Sequence, residues 1–317
     1  MLIYFIGACS VEKYQVTEGS AQGTTFRIVY KSSEKYDVEI YKMLKEFDLS
    51  LSTYEKQSII SRINRNEPNV ELNEIFIDFY NKSNEVYIKS EGYFDITVGP
   101  LVNAWGFGVN EQISADSSKI DSIKAFVGMD KIKIVNNQIV KKDSRMYLDA
   151  NAIAQGQSVD YICDFFEKEN ISDYLVEIGG EVRAKGKNDK GKTWRIGIDK
   201  PVEGDFSEER ELQTIISLNS KSLATSGNYR KFHEWKGIKF AHSINPKSGY
   251  PSRHNLLSAS IIANECAIAD AFATACMVMG LEKAIEMLKK NKEIEAYFIY
   301  AEDNGVFEVY QTEGFKK

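Results

Sequence analysis

The chain has 317 residues, of which 43% are hydrophobic and 27% charged, so it can bury a core and has the composition of a globular protein. Its formal net charge of −6 argues against nucleic acid as a partner, because nucleic-acid-binding proteins usually carry a basic face. The four cysteines form no CxxC pair and no Cys/His cluster, which gives zinc and redox chemistry little support.

The amino-terminal residues resemble the end of a bacterial lipoprotein signal. An apolar stretch at residues 2–8 ends in small residues and is followed by Cys9, which would become the lipid-modified first residue after cleavage. The stretch is too short to span a bilayer and lacks a basic n-region, so a buried N-terminal strand is the alternative. We interpret residues 1–18 as a signal remnant and polar tether. This interpretation predicts an exported lipoprotein, anchored in the membrane and facing the periplasm.

Hydrophobic periodicity predicts helices mixed with strands along the rest of the chain. The predicted helices cover residues 36–51, 74–89, 153–169, 266–279 and 281–291. The predicted strands cover residues 24–31, 131–135, 138–141, 174–178, 181–186, 194–199, 214–218, 256–263, 296–300 and 306–311. Strands and helices do not alternate regularly, and the sequence contains no internal repeat or linker. The order therefore predicts one α+β domain over residues 19–317, with mixed or antiparallel sheets.

The helix predicted at residues 266–279 is apolar or small at nearly every position, so most of its faces must be buried. Asp270 and Thr274 are four residues apart and therefore lie on one face. A carboxylate beside a hydroxyl suits Mg²⁺ that shares its other ligand positions with water and a substrate phosphate. The alternative is that Asp270 is hydrogen-bonded to nearby backbone and that Thr274 is merely packed.

The segment 92–108 contains Trp105, Gly106 and Phe107. We interpret it as aromatic surface beside exposed N–H groups, which would suit a flat heteroaromatic ring; the alternative is plain core. Residues 148–156 form a loop that leads into a helix, whose start would attract a phosphate. Residues 178–180 and 224–228 are predicted to be glycine-containing turns. The sequence has no GxGxxG fingerprint and no Walker A loop, which argues against a Rossmann or P-loop enzyme.

One histidine, His242, precedes a turn rich in proline and glycine, where it could take a proton from a hydroxyl nucleophile. His233 and His254 have more polar neighbours and are predicted to lie at the surface. A single histidine is more often structural than catalytic, so the role of His242 depends on the rest of the sequence.

Six ordered segments together resemble the FAD:protein FMN transferase family, also called ApbE, over nearly the whole chain from Gly19. They are Gly-Ser-Ala-Gln-Gly-Thr at 19–24, Ser-Thr-Tyr at 52–54 with Ser-Ile-Ile-Ser-Arg-Ile-Asn at 58–64, Phe-Asp-Ile-Thr-Val-Gly-Pro at 94–100, Ala-Thr-Ser-Gly-Asn at 224–228, His-Ser-Ile-Asn-Pro-Lys-Ser-Gly at 242–249 and Ala-Asp-Ala-Phe-Ala-Thr at 269–274. The resemblance implies a T-fold-related α+β domain that holds FAD in a cleft with Mg²⁺ on its diphosphate.

The resemblance also implies the site residues. The Mg²⁺ ligands would be the side chains of Asp270 and Thr274 with the backbone carbonyl of Ala152, and His242 would be the catalytic base. Contacts with FAD would come from Gln22, Tyr54, Trp105, Gly106, Phe107, Asp149, Gln155 and Ile244. The expected acceptor is a threonine of a flavoprotein, such as a subunit of a membrane redox pump. Family members are exported, often as lipoproteins, in agreement with Cys9.

The sequence departs from the family at three positions. Gln22 stands where many relatives have Met, and Gln155 where many have Lys or Glu. Asn245 stands where Asp is usual, and an amide cannot act as a base. We expect His242 to remain the base, with residue 245 tuning it; the alternative is that Asn245 only caps a turn. Transfer of FMN to a threonine is therefore the favoured function, and an FAD pyrophosphatase or a non-catalytic flavin-binding lipoprotein are the alternatives.

Overall fold

The computed structural model describes residues 12–108, 116–200, 212–227, 232–235, 238–241, 243–302 and 304–315, with backbone alone at 232–235 and 238–241. Cys9 and His242 lie outside the described residues, so their predicted roles in lipidation and catalysis stay predictions.

The helices and strands follow one another without regular alternation. The helices are α1 (Asp37–Leu51), α2 (Ile59–Asn64), α3 (Glu74–Lys89), α4 (Gly99–Ala104), α5 (Ser117–Lys124), α6 (Ala154–Lys168), α7 (Cys266–Met279) and α8 (Leu281–Lys290). The strands are β1 (Lys13–Ala21), β2 (Thr24–Ser32), β3 (Ile132–Val135), β4 (Gln138–Lys141), β5 (Tyr174–Ile178), β6 (Glu181–Lys185), β7 (Trp194–Asp199), β8 (Leu212–Leu218), β9 (Lys221–Gly227), β10 (Phe232–Trp235), β11 (Ile238–Ala241), β12 (Leu256–Ala263), β13 (Glu295–Ala301) and β14 (Phe307–Gln311).

The main sheet has eight strands in the order β1-β2-β5-β6-β9-β12-β13-β14, and every neighbouring pair is antiparallel. Strand pairs β3–β4, β7–β8 and β10–β11 form separate two-stranded sheets. The predicted α+β class is confirmed. The hairpin predicted around Asn136 and Asn137 is also confirmed, because both residues have positive φ in a two-residue turn between β3 and β4.

Helices cover one face of this sheet. Helix α6 packs against β5 and β6, and α7 packs against β9 and β12. The β7–β8 hairpin contributes Trp194, Ile216 and Leu218 to an apolar cluster with Val182 of β6 and Leu223 of β9. Within the described ranges, no helix is long and apolar enough to cross a membrane.

Two strands differ from the sequence predictions. Part of the predicted tether, from Lys13 onward, lies in β1, which pairs along its whole length with β2. The segment around Thr225 and Ser226, predicted to be a turn, belongs to β9, which pairs with both β6 and β12. Small and hydroxylated side chains made β9 look like a turn, although tertiary pairing holds it in the middle of the sheet. Helices α2, α4 and α5 and the hairpin β10–β11 were also not predicted.

Helix α7 is buried at every position except Thr274 and Met279, as its composition predicted. No side chain caps its N-terminus from within its own segment. Asp160 of α6 takes this role, because its two carboxylate oxygens accept the N–H groups of Cys266 and Ala267, each at 2.9 Å. Arg183 of β6 donates to the same carboxylate at 2.8 Å. The buried Asp160 therefore fixes α7 against α6 and the sheet.

Replacement of Asp160 by asparagine should remove the charge that Arg183 and the two helix N–H groups share. We expect Asp160→Asn to lower the free energy of unfolding by about 3–5 kcal/mol, because Arg183 would lose its partner at a largely buried position. Urea denaturation followed by circular dichroism measures this change. Asp164→Asn is the matched control, since Asp164 is exposed and lies 3.6 Å from Arg183, and it should cost about 0–1 kcal/mol. Equal, small losses in both variants would contradict the capping role.

Candidate functional site

Two tight turns lie side by side at one edge of the main sheet. Gln22 and Gly23, both with positive φ, join β1 to β2, and Gly179 and Gly180, also with positive φ, join β5 to β6. Because β2 and β5 are antiparallel neighbours, both turns fall at the same edge, and Gly179 donates its N–H to the carbonyl of Thr25 at 3.0 Å. Antiparallel pairing therefore brings the two turns together.

The first turns of helix α6 lie against these two turns. Ser158 donates its hydroxyl proton to Oε1 of Gln22 at 3.1 Å. The amide of Gln155 packs so closely on Gly179 that a Cβ at residue 179 would lie 2.4 Å from Nε2 of Gln155. The amide nitrogen Nε2 of Gln22 is buried and has no hydrogen-bond partner among the described residues. Gln22 and Gln155, predicted separately as FAD contacts, therefore meet at the start of α6.

Asp270 of α7 reaches the same helix start. Its Oδ2 accepts the N–H of Gly156 at 3.1 Å, whereas no hydrogen bond to its Oδ1 occurs among the described residues. Glycine is needed at residue 156, because a Cβ there would lie 2.4 Å from the carbonyl oxygen of Cys266. The close approach of the helices thus allows Asp270, which is 6% exposed, to bond backbone of α6.

The second predicted metal ligand is the backbone carbonyl of Ala152, two residues before the start of α6. In a helix that continued toward the N-terminus, the N–H of Gly156 would donate to the Ala152 carbonyl four residues earlier. It donates to Asp270 instead, and the Ala152 oxygen accepts no hydrogen bond from the described residues. The N–H of Gly156 therefore bonds one predicted metal ligand, Asp270, in place of the helical bond to another, Ala152.

The third predicted ligand, Thr274, lies one turn further along α7. Its hydroxyl oxygen is 3.4 Å from the hydroxyl oxygen of Ser226 on β9. Thr274 is one of the two positions of α7 that are not fully buried. Ser226 belongs to the segment 224–228, one of the six motifs that resemble the ApbE family. Its position beside Thr274 follows from the pairing of β9.

A second buried carboxylate, Glu181, lies near Asp270 and was not predicted from the sequence. It is the first residue of β6, directly after the Gly179–Gly180 turn, and it is 7% exposed. Burial raises the pKa of Asp270, and the N–H of Gly156 lowers it in part. The pKa of Glu181 is well above its usual range, first because of burial and then because of the charge on Asp270. The burial of Glu181 could not be predicted from the local sequence, because a charged residue beside a hairpin turn is usually exposed.

The aromatic segment differs from its prediction. Trp105 is 4% exposed, and its indole N–H donates to the carbonyl of Gly249 at 2.8 Å. The N–H groups of Gly106 and Phe107 donate to the carbonyls of Asn103 and Val102 at the end of α4, so they are not exposed donors. Phe107 is half-buried against the large apolar core. The interpretation of exposed N–H groups beside aromatic surface was wrong, because the segment closes α4 as a turn.

Two further predicted FAD contacts lie near one another. Asp149 is half-buried, accepts the N–H of Asn151 at 2.9 Å and donates its own N–H to the carbonyl of Ile96. Tyr54 is 76% exposed, which leaves its ring available to a ligand. Tyr147 interacts with both, since burial and then the charge on Asp149 raise its pKa, with a smaller contribution from Tyr54. Tyr147 was not predicted from the sequence.

The segment after position 242 forms a tight loop. Ile244 is 4% exposed and pairs with Pro251. Asn245 Oδ1 accepts the N–H groups of Lys247 at 2.9 Å and Ser248 at 3.2 Å. These are the hydrogen bonds expected if Asn245 caps the turn, the alternative considered for it above.

The predictions for the other histidines have different outcomes. His254, predicted to lie at the surface, is part-buried, and its Nε2 lies 2.7 Å from the carbonyl oxygen of Met277 on α7. The side chain of His233 lies outside the described residues. No cluster of three or more His, Cys, Asp or Glu side chains suited to a metal occurs in the described part of the chain. A metal at Asp270 would therefore depend on oxygen ligands of mixed type.

The fold that brings together this sheet edge, the start of α6 and α7 is shared with solved flavin transferases. The solved flavin transferase ApbE from Vibrio cholerae superposes with a TM-score of 0.84 at 32% identity and covers 96% of this chain and 99% of its own. The apo flavinyl transferase ApbE from Pseudomonas stutzeri gives a TM-score of 0.85 at 30% identity, with 96% of each chain covered.

Sequence similarity leads to the same family. The ApbE family profile matches residues 22–298. A protein named FAD:protein FMN transferase from Haemophilus influenzae is 36% identical, with 98% of this chain and 94% of the relative covered. Its counterpart of the same name from Vibrio cholerae is 33% identical, with 99% and 96% covered. The chain belongs to the ApbE family, and the resemblance drawn from its six motifs is confirmed.

Proposed function

We propose that this protein is an FAD:protein FMN transferase that depends on Mg²⁺ and moves FMN from FAD to a threonine hydroxyl of an acceptor protein, releasing AMP. Membership of the ApbE family supports flavin transfer, since the curated relatives carry that activity in their names. The structural observation that carries the finer proposal is the pairing of Asp270 with the start of α6, where Oδ1 of Asp270 and the Ala152 carbonyl both remain available as oxygen ligands.

The residues present fit Mg²⁺. A carboxylate oxygen, a backbone carbonyl and a hydroxyl are hard ligands, and Mg²⁺ sites commonly combine one or two carboxylates with water and substrate phosphates. Asp270 is buried and has no cationic neighbour among the described residues, so its carboxylate would be stabilised by a bound cation. Asp270, Ala152 and Thr274 would hold the ion. Bound Mg²⁺ would offset the charge of the FAD diphosphate and stabilise AMP as the leaving group.

The start of α6 would bind the diphosphate. The N-terminus of a helix carries a partial positive charge and free N–H groups, both of which attract phosphate. Gln155 stands in the first turn of α6, and Gln22 accepts a hydrogen bond from Ser158 in the next turn. The unpartnered Nε2 of Gln22 is a further donor within this group. Tyr54, Trp105, Gly106, Phe107, Asp149 and Ile244 are proposed to contact the rest of FAD.

The transfer would proceed by attack of the threonine oxygen on the phosphorus of the FMN half of FAD. A new O–P bond would form as the bond between that phosphorus and the AMP oxygen breaks, and AMP would leave with the bonding electrons. His242 would accept the proton of the threonine hydroxyl as general base. The described neighbours of position 242 form the loop at Ile244 and Asn245, which would place the base.

We further propose that the protein is exported and anchored in the membrane through a lipid on Cys9. The support is the apolar stretch ending in small residues directly before Cys9 in the sequence.

The first prediction from this function concerns the reaction and its metal. With FAD, Mg²⁺ and a threonine-containing acceptor peptide, mass spectrometry should find an FMN adduct on the peptide and free AMP. Asp270→Asn should lower the rate by about 10³-fold or more, because the diphosphate loses several kcal/mol of charge stabilisation. Asp164→Asn, which removes an exposed charge from α6, is the control and should keep the native rate. Free FMN and AMP without an adduct would identify a pyrophosphatase instead, and full activity in EDTA would exclude the metal.

The second prediction concerns the general base, His242. His242→Ala should slow transfer by about 10²–10⁴-fold, the usual contribution of a positioned general base. Its affinity for FAD should change little, because the imidazole would act on the acceptor hydroxyl. Asn245→Asp should raise the transfer rate, because a carboxylate near the imidazole stabilises the positive charge that develops on it during proton removal. A carboxylate can accept the same N–H groups of Lys247 and Ser248, so a native rate in this variant would leave Asn245 with the turn-capping role alone.

The third concerns the anchor. Cys9→Ser should shift the protein from the membrane fraction to the soluble fraction of the producing bacterium, because the diacyl chains that hold a lipoprotein would no longer be attached. Fractionation followed by immunoblotting measures the shift. Retention of residues 1–8 in the mature protein, detected by mass spectrometry, would contradict the proposal.

A further inference from the structure

The carboxylate of Glu181 has no role in the function proposed above, although it is buried beside the site. It is 7% exposed, and its Oε2 accepts no hydrogen bond from the residues that the structure describes. Burial of an ionised carboxylate is costly unless hydrogen bonds and a counter-charge compensate it. Among the described residues, a hydrogen bond from its own backbone N–H favours the ionised form of Glu181 and no cation does, so a bound cation would stabilise it.

The charged groups near Glu181, among the described residues, increase the free-energy cost of burying its ionised carboxylate. The charged groups that act on Glu181 are Asp270 and Glu177, and both are negative. By contrast, the equally buried Asp160 has Arg183 and Lys82 as cationic neighbours and bonds two helix N–H groups. Among the described residues, cations and helix N–H groups thus compensate Asp160, whereas no cation acts on Glu181 or Asp270.

The pair leaves oxygen atoms available on both sides. Asp270 uses Oδ2 to accept the N–H of Gly156, and no described group donates to its Oδ1. Glu181 is the first residue of β6, which packs against α7. No described group donates a hydrogen bond to its Oε2. Two carboxylates with available oxygens, together with the hydroxyl of Thr274 one turn beyond Asp270 on α7, are the kind of ligands that a hard divalent cation takes.

We propose that Glu181 supplies a second carboxylate ligand to the divalent cation that Asp270 binds. This inference rests on the metal dependence of the proposed function and deepens it. Two carboxylates match the charge of one divalent cation before any phosphate arrives. The protein should therefore bind the cation in the absence of FAD, so that the site is charged before the diphosphate enters.

The test uses Mn²⁺ as a spectroscopic substitute for Mg²⁺, titrated into the purified full chain without FAD and followed by the electron paramagnetic resonance of free Mn²⁺. Glu181→Gln should weaken Mn²⁺ binding by at least about tenfold, the lower end of what loss of a supporting group costs a metal site. Glu177→Gln is the matched control, because it removes a charge from the same hairpin while its amide oxygen can still accept the N–H of Gly180. The control should stay within about twofold of the native protein.

A second variant separates ligation from simple attraction of charge. Glu181→Asp keeps the negative charge but withdraws the carboxylate by one methylene group, so it should also weaken Mn²⁺ binding. Native affinity in either Glu181→Gln or Glu181→Asp would overturn the ligand role. Asp270→Asn distinguishes this failure from failure of the proposed function. If Asp270→Asn abolishes Mn²⁺ binding while the Glu181 variants bind normally, only the role of Glu181 is wrong; if Asp270→Asn binds normally, the metal centre itself is wrong.

Thermal unfolding gives a readout that is independent of activity. Glu181→Gln should raise the melting temperature of the metal-free protein, because it removes repulsion between two buried carboxylates. It should also shrink the further rise that Mn²⁺ produces in the native protein, since a ligand of the folded state stabilises it according to its affinity. An unchanged Mn²⁺-induced rise in Glu181→Gln would contradict the proposal.

Discussion

The close crossing of α6 and α7 at Gly156 is the constraint on which the site depends. With no side chain at residue 156, the two helices approach until the backbone of α6 meets α7. At this distance each helix start is bonded by a carboxylate of the other helix. Asp160 of α6 accepts two N–H groups at the start of α7, and Asp270 of α7 accepts one N–H in the first turn of α6. The reciprocal arrangement fixes the position of both helix starts relative to the sheet.

The two carboxylates of this arrangement differ in how far the chain satisfies them. Asp160 has both oxygens bonded and Arg183 beside it, which is the pattern of a structural ion pair. Asp270 has one oxygen bonded and the carboxylate of Glu181 as its charged neighbour. A buried polar group that a fold leaves unsatisfied calls for an explanation, such as a catalytic role or a bound ion. The contrast separates the part of the crossing that holds the fold from the part that is available for chemistry.

Periodicity in the sequence predicted most of the fold. The bounds of α3, α7, β5, β7 and β12 agree with the predicted ranges, because these segments have clear apolar patterns. The failures have a common physical cause. Strand β1 is a polar edge strand, and β9 contains small and hydroxylated residues, so in both cases pairing with neighbours decides the structure more than local preference does. Trp105 was misjudged for the opposite reason, because an aromatic ring in a glycine-rich segment packs equally well inside a core.

The candidate site was predictable where one element carries several of its residues, and not where tertiary packing assembles them. Asp270 and Thr274 share a face of α7, so spacing alone placed them together. Glu181 reaches Asp270 only because β5 and β6 turn at Gly179–Gly180, beside the edge where β2 and β5 pair, and because α7 packs against β6. No local pattern contains that information. An antiparallel meander places alternate turns at one edge of its sheet, and a helix pair packed on that sheet presents its starts there. A charged residue directly after such a turn can therefore become part of a buried site, although its position in the sequence suggests that it is exposed.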